Sequence, residues 1–87
     1  MLSEFFDAVG ISEISKIQGV RVQMVSNSIV LVSNMLGILT LEQDKIELKA
    51  DKNQLLIIEG DYLEVITLNK NDISVRGRIR SVNFSRA

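Results

Sequence analysis

The stretch "QLLIIEGDYLEVITLNKNDISVRGRIRSVNF", residues 54–84, decides the fold. Its apolar residues come in short runs rich in Ile, Leu and Val. Gly-Asp at 60–61 and Asn-Lys-Asn-Asp at 69–72 interrupt them. Gly, Asn and Asp tolerate the left-handed backbone that tight turns require, so the stretch reads as strands at 54–59, 62–68, 73–80 and 82–84. Alternate side chains of an extended chain share a face. Ile73, Val75, Gly77 and Ile79 therefore lie on one side, and Ser74, Arg76, Arg78 and Arg80 on the other. Val82 and Phe84 then fall on the arginine parity. One extra residue near Arg80–Ser81, a β-bulge, returns them to the core side and leaves the arginines facing solvent.

The same rhythm runs upstream. Turn signals at 26–28, 33–34, 42–44 and 51–53 separate apolar runs at 19–25, 29–33, 37–41 and 45–50. Short strands at this spacing predict an all-β domain: a meander of seven to eight strands built as a small sandwich, a barrel or a short β-solenoid. The segment "DKIELKA" alternates in polarity and predicts a half-buried strand. "SIVLVS", "LGILTL" and "QLLIIEG" are apolar on both faces. Something must cover their second face: another sheet, the N-terminal segment, or a second copy of the chain. This excess predicts self-association.

Residues 3–9 predict a short helix. Ser3 suits the N-cap, Glu4 and Asp7 suit the first turn, and Gly10 suits the stop. A further helical turn is expected at 12–15, so the chain divides into a helical segment at 1–15 and a single all-β domain at 16–87. Leu2, Phe5, Phe6 and Val9 form the apolar side. It either packs on the sheet or, through Phe5 and Phe6, docks on a partner.

Catalytic chemistry has little to stand on. The 87 residues contain no histidine and no cysteine, which removes the usual general bases and thiol nucleophiles, disulfides and Cys-ligated zinc. The nine serines lie mostly in turns, where the hydroxyl caps local backbone. Glu59 and Asp61 flank Gly60, but "EGDYLEV" lacks the ligand spacing of a calcium loop. The pair reads as solvated charge at a hairpin turn. No phosphate-loop pattern is present. The expectation is a protein without catalytic residues, metal, cofactor or small-molecule substrate. The start "MLSEFFDAVG" has no basic region of a secretory signal, and no apolar run approaches a membrane span. The chain reads as cytoplasmic.

The net charge of −1 gives no global attraction to nucleic acid. Residues 1–44 carry two bases against five acids, net −3, and residues 45–87 eight against six, net +2. Positive charge is thus local to Arg76, Arg78, Arg80 and Arg86. Binders of single strands interleave cations with stacking aromatics, and Tyr62 is the sole tyrosine here. A small barrel that binds nucleic acid through Arg76, Arg78 and Arg80 is the alternative function, with a phage or envelope structural subunit as a third. The more ordinary fate of these arginines is pairing with acids of the preceding strand, such as Glu64, or contact with an acidic protein partner.

Three segments carry a family resemblance: "GILTLEQDKIEL" (37–48), "LLIIEGDYLEV" (55–65) and "ISVRGRIRSVNF" (73–84). From Lys16 to Phe84 the chain resembles the YabP/YqfC group of small proteins from spore-forming Firmicutes. Ile73, Val75, Gly77, Ile79, Val82 and Phe84 fit that group's closing pattern directly. Leu55, Ile57 and Gly60 fit its middle hairpin with one extra residue, and Asn53 stands where a glycine is usual. The resemblance implies a sporulation protein of the mother-cell cytoplasm, without enzymatic activity, that docks peripherally on a membrane protein of the spore envelope. It implies no catalytic residues.

Overall fold

The computed structural model describes residues 11–17 and 19–86. The seven strands are β1 (Ile11–Ile17), β2 (Val20–Val25), β3 (Ile29–Ser33), β4 (Gly37–Leu41), β5 (Lys45–Asp51), β6 (Gln54–Leu68) and β7 (Ile73–Arg86). All pairings are antiparallel, and the six strands from Val20 onward form one open sheet to whose edge β1 adds. The spatial order is β1-β2-β3-β7-β6-β5-β4. The chain is thus all-β, as its turn spacing predicts. It is not a simple meander: two meanders meet where β3 lies beside β7. The helix expected at 3–9, with Phe5 and Phe6, lies outside the described residues. The helical turn expected at 12–15 is replaced by extended chain, because Ser12 to Lys16 pair along β2.

Turn chemistry places the hairpins where the sequence predicts them. Ser26 and Asn27 adopt φ 53° and 57°, and Ser28 N–H donates to Val25 O at 3.0 Å. Two successive left-handed residues match the right-handed twist of the strands they join. In the β5–β6 turn, Asn53 N–H donates to Asp51 Oδ1 at 2.7 Å. In the β6–β7 turn, Asn69 Oδ1 accepts from the N–H groups of both Asn71 and Asp72.

Gly60–Asp61 departs from the expected hairpin turn. β6 runs unbroken from Gln54 to Leu68, and β7 from Ile73 to Arg86. Each long strand replaces two short ones. The reason is a matched pair of bulges. Glu59 pairs with Ser81 and Gly60 with Ile79, so Arg80 is an extra residue on β7. Asp61 pairs with Arg78 and Glu64 with Arg76, so β6 sets Tyr62 and Leu63 against Gly77 alone. At these two bulges each strand gains one residue, and both turn a corner without leaving the ladder; β6 gains another at Ile66, beyond the corner. The bulge at Arg80 is the one its parity requires.

The corner folds the sheet onto itself. Ser33 and Gly37 are joined by four Cα–Cα steps, spanning at most about 15 Å. In sheet order β7, β6 and β5 lie between β3 and β4, which on a flat sheet is about 19 Å. A flat sheet cannot accommodate that link, so the sheet must curl. Its two halves then share one core. Val20, Val22, Val30, Val32, Ile73 and Val75 come from one half, and Ile46, Leu48, Ala50, Leu56 and Ile58 from the other. Met35 in the link and Leu63 at the corner complete it. The second face is covered only in part. Ile29, Leu31, Leu55 and Ile57 are half-buried there; on β4 the bulged Leu39 is exposed, and Leu41, which pairs with Ile46 on the core side, is exposed at the sheet's edge.

Candidate functional site

The corner carries the most unusual surface of the molecule. Leu63 turns inward and is buried, so its bulge partner Tyr62 turns outward, 84% exposed. Tyr62 has φ 55°, a left-handed conformation that costs a bulky L-residue roughly 1–2 kcal/mol. The backbone is held there from several sides. Gly60 N–H donates to Asp44 O at 3.1 Å, and Leu63 N–H donates to Gln43 O at 2.7 Å. The β4–β5 turn is thereby stitched to the corner. On β7, Gly77 N–H donates to Ser28 O at 3.0 Å.

These elements border an open depression of about 580 Å³, lined by Gln43, Asp44, Asp61, Tyr62 and Arg78. It offers a phenol, an amide, two carboxylates and a guanidinium, all reachable from solvent. Among the described residues no group of three potential metal ligands converges.

The three arginines expected to form a stripe are separated by the corner. Arg76 lies on the β3 side, where its Nη2 donates to Glu64 Oε1 at 2.7 Å. This is the cross-strand pairing anticipated from the sequence. Arg80, the bulged residue, donates from Nη2 to Gly60 O at 3.1 Å and sets Nε 3.7 Å from Asp61 Oδ2. The Arg78 side chain alone of the three makes no hydrogen bond or ion pair among the described residues. The pair Glu59 and Asp61 is likewise engaged across the sheet, Glu59 Oε1 accepting from Ser81 Oγ at 3.2 Å.

The Arg76–Glu64 bridge is exposed on both sides, 57% and 63%, so water and salt screen it. Arg76→Ala is expected to change unfolding free energy by no more than about 1 kcal/mol, read from urea denaturation. A larger loss would mean that the bridge holds β6 and β7 together.

Sequence reasoning found Arg78 but missed Tyr62, Gln43 and Asp44. The available signal was a lone aromatic directly after Gly-Asp in a chain poor in aromatics. Reading 60–61 as a hairpin turn hid it, because a turn residue needs no further account.

No protein-family model, curated protein or solved structure matches the chain. Among the described residues no helix is long and apolar enough to cross a membrane.

Proposed function

We propose that this chain is a non-enzymatic interaction protein of spore assembly that self-associates and docks on a membrane-protein partner from the cytoplasmic side. The observation that carries the interaction reading is Tyr62. A large aromatic side chain is held almost fully in solvent, on backbone that disfavours it. Strain of this kind persists where surrounding structure enforces it, and it collects at functional positions. Exposed Tyr and Arg are also the side chains most enriched among residues that dominate binding energy at interfaces. Tyr62 and the unpaired Arg78 border the same depression. The sporulation setting and the membrane partner rest on the resemblance to the YabP/YqfC group.

Tyr62→Asn tests the reading, since asparagine adopts the left-handed region more readily than tyrosine. The variant is expected to fold with stability raised by about 0.5–1 kcal/mol. Used as bait on detergent extracts of sporulating cells, it should lose an integral membrane protein that the unmodified chain retains. Equal retention by both baits would remove the corner as the docking site. Retention of nucleic-acid-associated soluble proteins alone would favour the nucleic-acid alternative.

A further inference from the structure

β4 ends the sheet order and pairs on one side only, with β5. Edge strands normally carry charge or proline as protection against pairing with another chain. β4 carries neither: from Met35 to Leu41 the sequence is "MLGILTL", and its one irregularity is a bulge at Leu39, between Ile38 paired with Leu48 and Thr40 paired with Glu47. Leu36, Leu39 and Leu41 are 59%, 58% and 48% exposed. Half of the exposed large apolar residues of the described chain therefore cluster on one short edge. The sheet's other long edges differ. The free side of the second half of β6 exposes Ile66 and Leu68 but sets the charge of Glu64 beside them, and the last part of β7 carries Arg80 and Arg86.

The charges around this edge are arranged asymmetrically. Glu42 follows β4 at one end, exposed and without an ion pair among the described residues. At the other end Gly37 pairs with Lys49 of β5, and Lys49 is likewise exposed and unpaired. The two charges lie on the same outer face. Thr40 Oγ1 donates to Glu47 Oε1 at 2.6 Å, which marks Thr40 and Glu47 as facing that way. Glu42 follows Thr40 by two residues, and Lys49 follows Glu47 by two.

From this pattern we infer that β4 is the self-association surface, pairing antiparallel with β4 of a second copy about a two-fold axis. This rests on the self-association reading above and assigns its location. An antiparallel pair brings the Glu42 end of each copy to the Gly37 end of the other. Glu42 then lies about two strand spacings, about 10 Å, from Lys49 of the second copy. Gly37 puts no side chain between them, and extended Glu and Lys side chains bridge that span. The ion pair forms twice, Leu39 of each copy lies beside the two-fold axis, and Leu41 of each falls opposite Ile38 of the other. The contact uses one surface on both copies, so it closes at two and covers an edge that no charge or proline guards.

Sedimentation velocity over a concentration series tests the assignment. The unmodified chain is expected to dimerise. Leu39→Lys places like charges in the middle of the contact and should weaken the dimer at least about tenfold. Glu42→Lys and Lys49→Glu should each weaken it roughly fivefold, the size expected of two exposed ion pairs. The double exchange should restore the original affinity, which no folding defect would do. Circular dichroism and thermal unfolding confirm that each variant is native. A chain that stays monomeric throughout overturns the inference together with the self-association reading. A dimer that is indifferent to all four variants overturns the β4 assignment alone and leaves self-association standing.

Discussion

Gly60→Ala is expected to lower the unfolding free energy by about 3 kcal/mol or more, because it forces overpacking against backbone. A Cβ at Gly60 would fall well inside contact distance of the Arg78 carbonyl oxygen and also press on the Arg78 carbonyl carbon and Leu63 Cδ2. The oxygen belongs to the opposite strand of the corner, so no rotamer change relieves the overlap. β6 and β7 must separate where the sheet bends. Such a separation also threatens the bond from Gly60 N–H to Asp44 O and the one from Arg80 to Gly60 O. Gly37→Ala is the matched control. A Cβ there meets nothing within 4 Å in the single chain, and at concentrations where the chain is monomeric the change is expected to be neutral or stabilising by up to about 1 kcal/mol. Urea denaturation of both variants gives the comparison. Equal midpoints would show that the corner adapts and that close strand approach at Gly60 is dispensable.

Leu56→Ala is the second large effect, expected at about 3–4 kcal/mol. Leu56 is fully buried, pairs directly with fully buried Leu48 on β5, and sits opposite Phe84 on β7. Its neighbours come from both sides of the ladder and cannot all move inward to fill the void. Leu55, one position away on the outer face, is only half-buried. Leu55→Ala should therefore cost distinctly less, about 1 kcal/mol by area removed from water. A domain of this size has a total stability of only about 5–10 kcal/mol, so Leu56→Ala should visibly lower the thermal midpoint. Equal losses at 55 and 56 would mean that the outer face of β6 is as well covered as the core, for instance within an assembly.

Strand identity was legible in the sequence wherever turn chemistry and apolar runs agreed. The Ser-Asn-Ser, Asp-Lys-Asn and Asn-Lys-Asn-Asp turns sit where expected. The parity break after Arg80 placed a bulge near Arg80–Ser81, and the structure sets it at Arg80, because a strand's side-chain period of two makes any slip visible. Gly60–Asp61 misled for a physical reason. The same dipeptide that reverses a chain in a hairpin also lets two paired strands bend together. The difference lies in what stands opposite, and Ile79 and Arg78 are too distant in sequence to reveal it. The order of strands was illegible on the same grounds. Nothing local in "SIVLVS" announces that its neighbour is "ISVR", some forty residues on. Tyr62 as the centre of a candidate site was illegible too, since its exposure and its backbone conformation both follow from the corner.

The last strand of this sheet in chain order lies in its middle. β7 holds the fourth place of seven in the sheet, with β3 on one side and β6 on the other. Until Ile73 to Arg76 emerge from the ribosome, Val30 and Val32 have a partner on one side only, and the two meanders share no ladder. Assembly of the sheet must therefore wait until Ile73–Arg76 are made, some forty residues after β3. Contacts so remote in sequence slow the search for the native state. During that delay the apolar run at 35–41 is open to other chains, so crowding of nascent copies is when this protein is most exposed to aggregation.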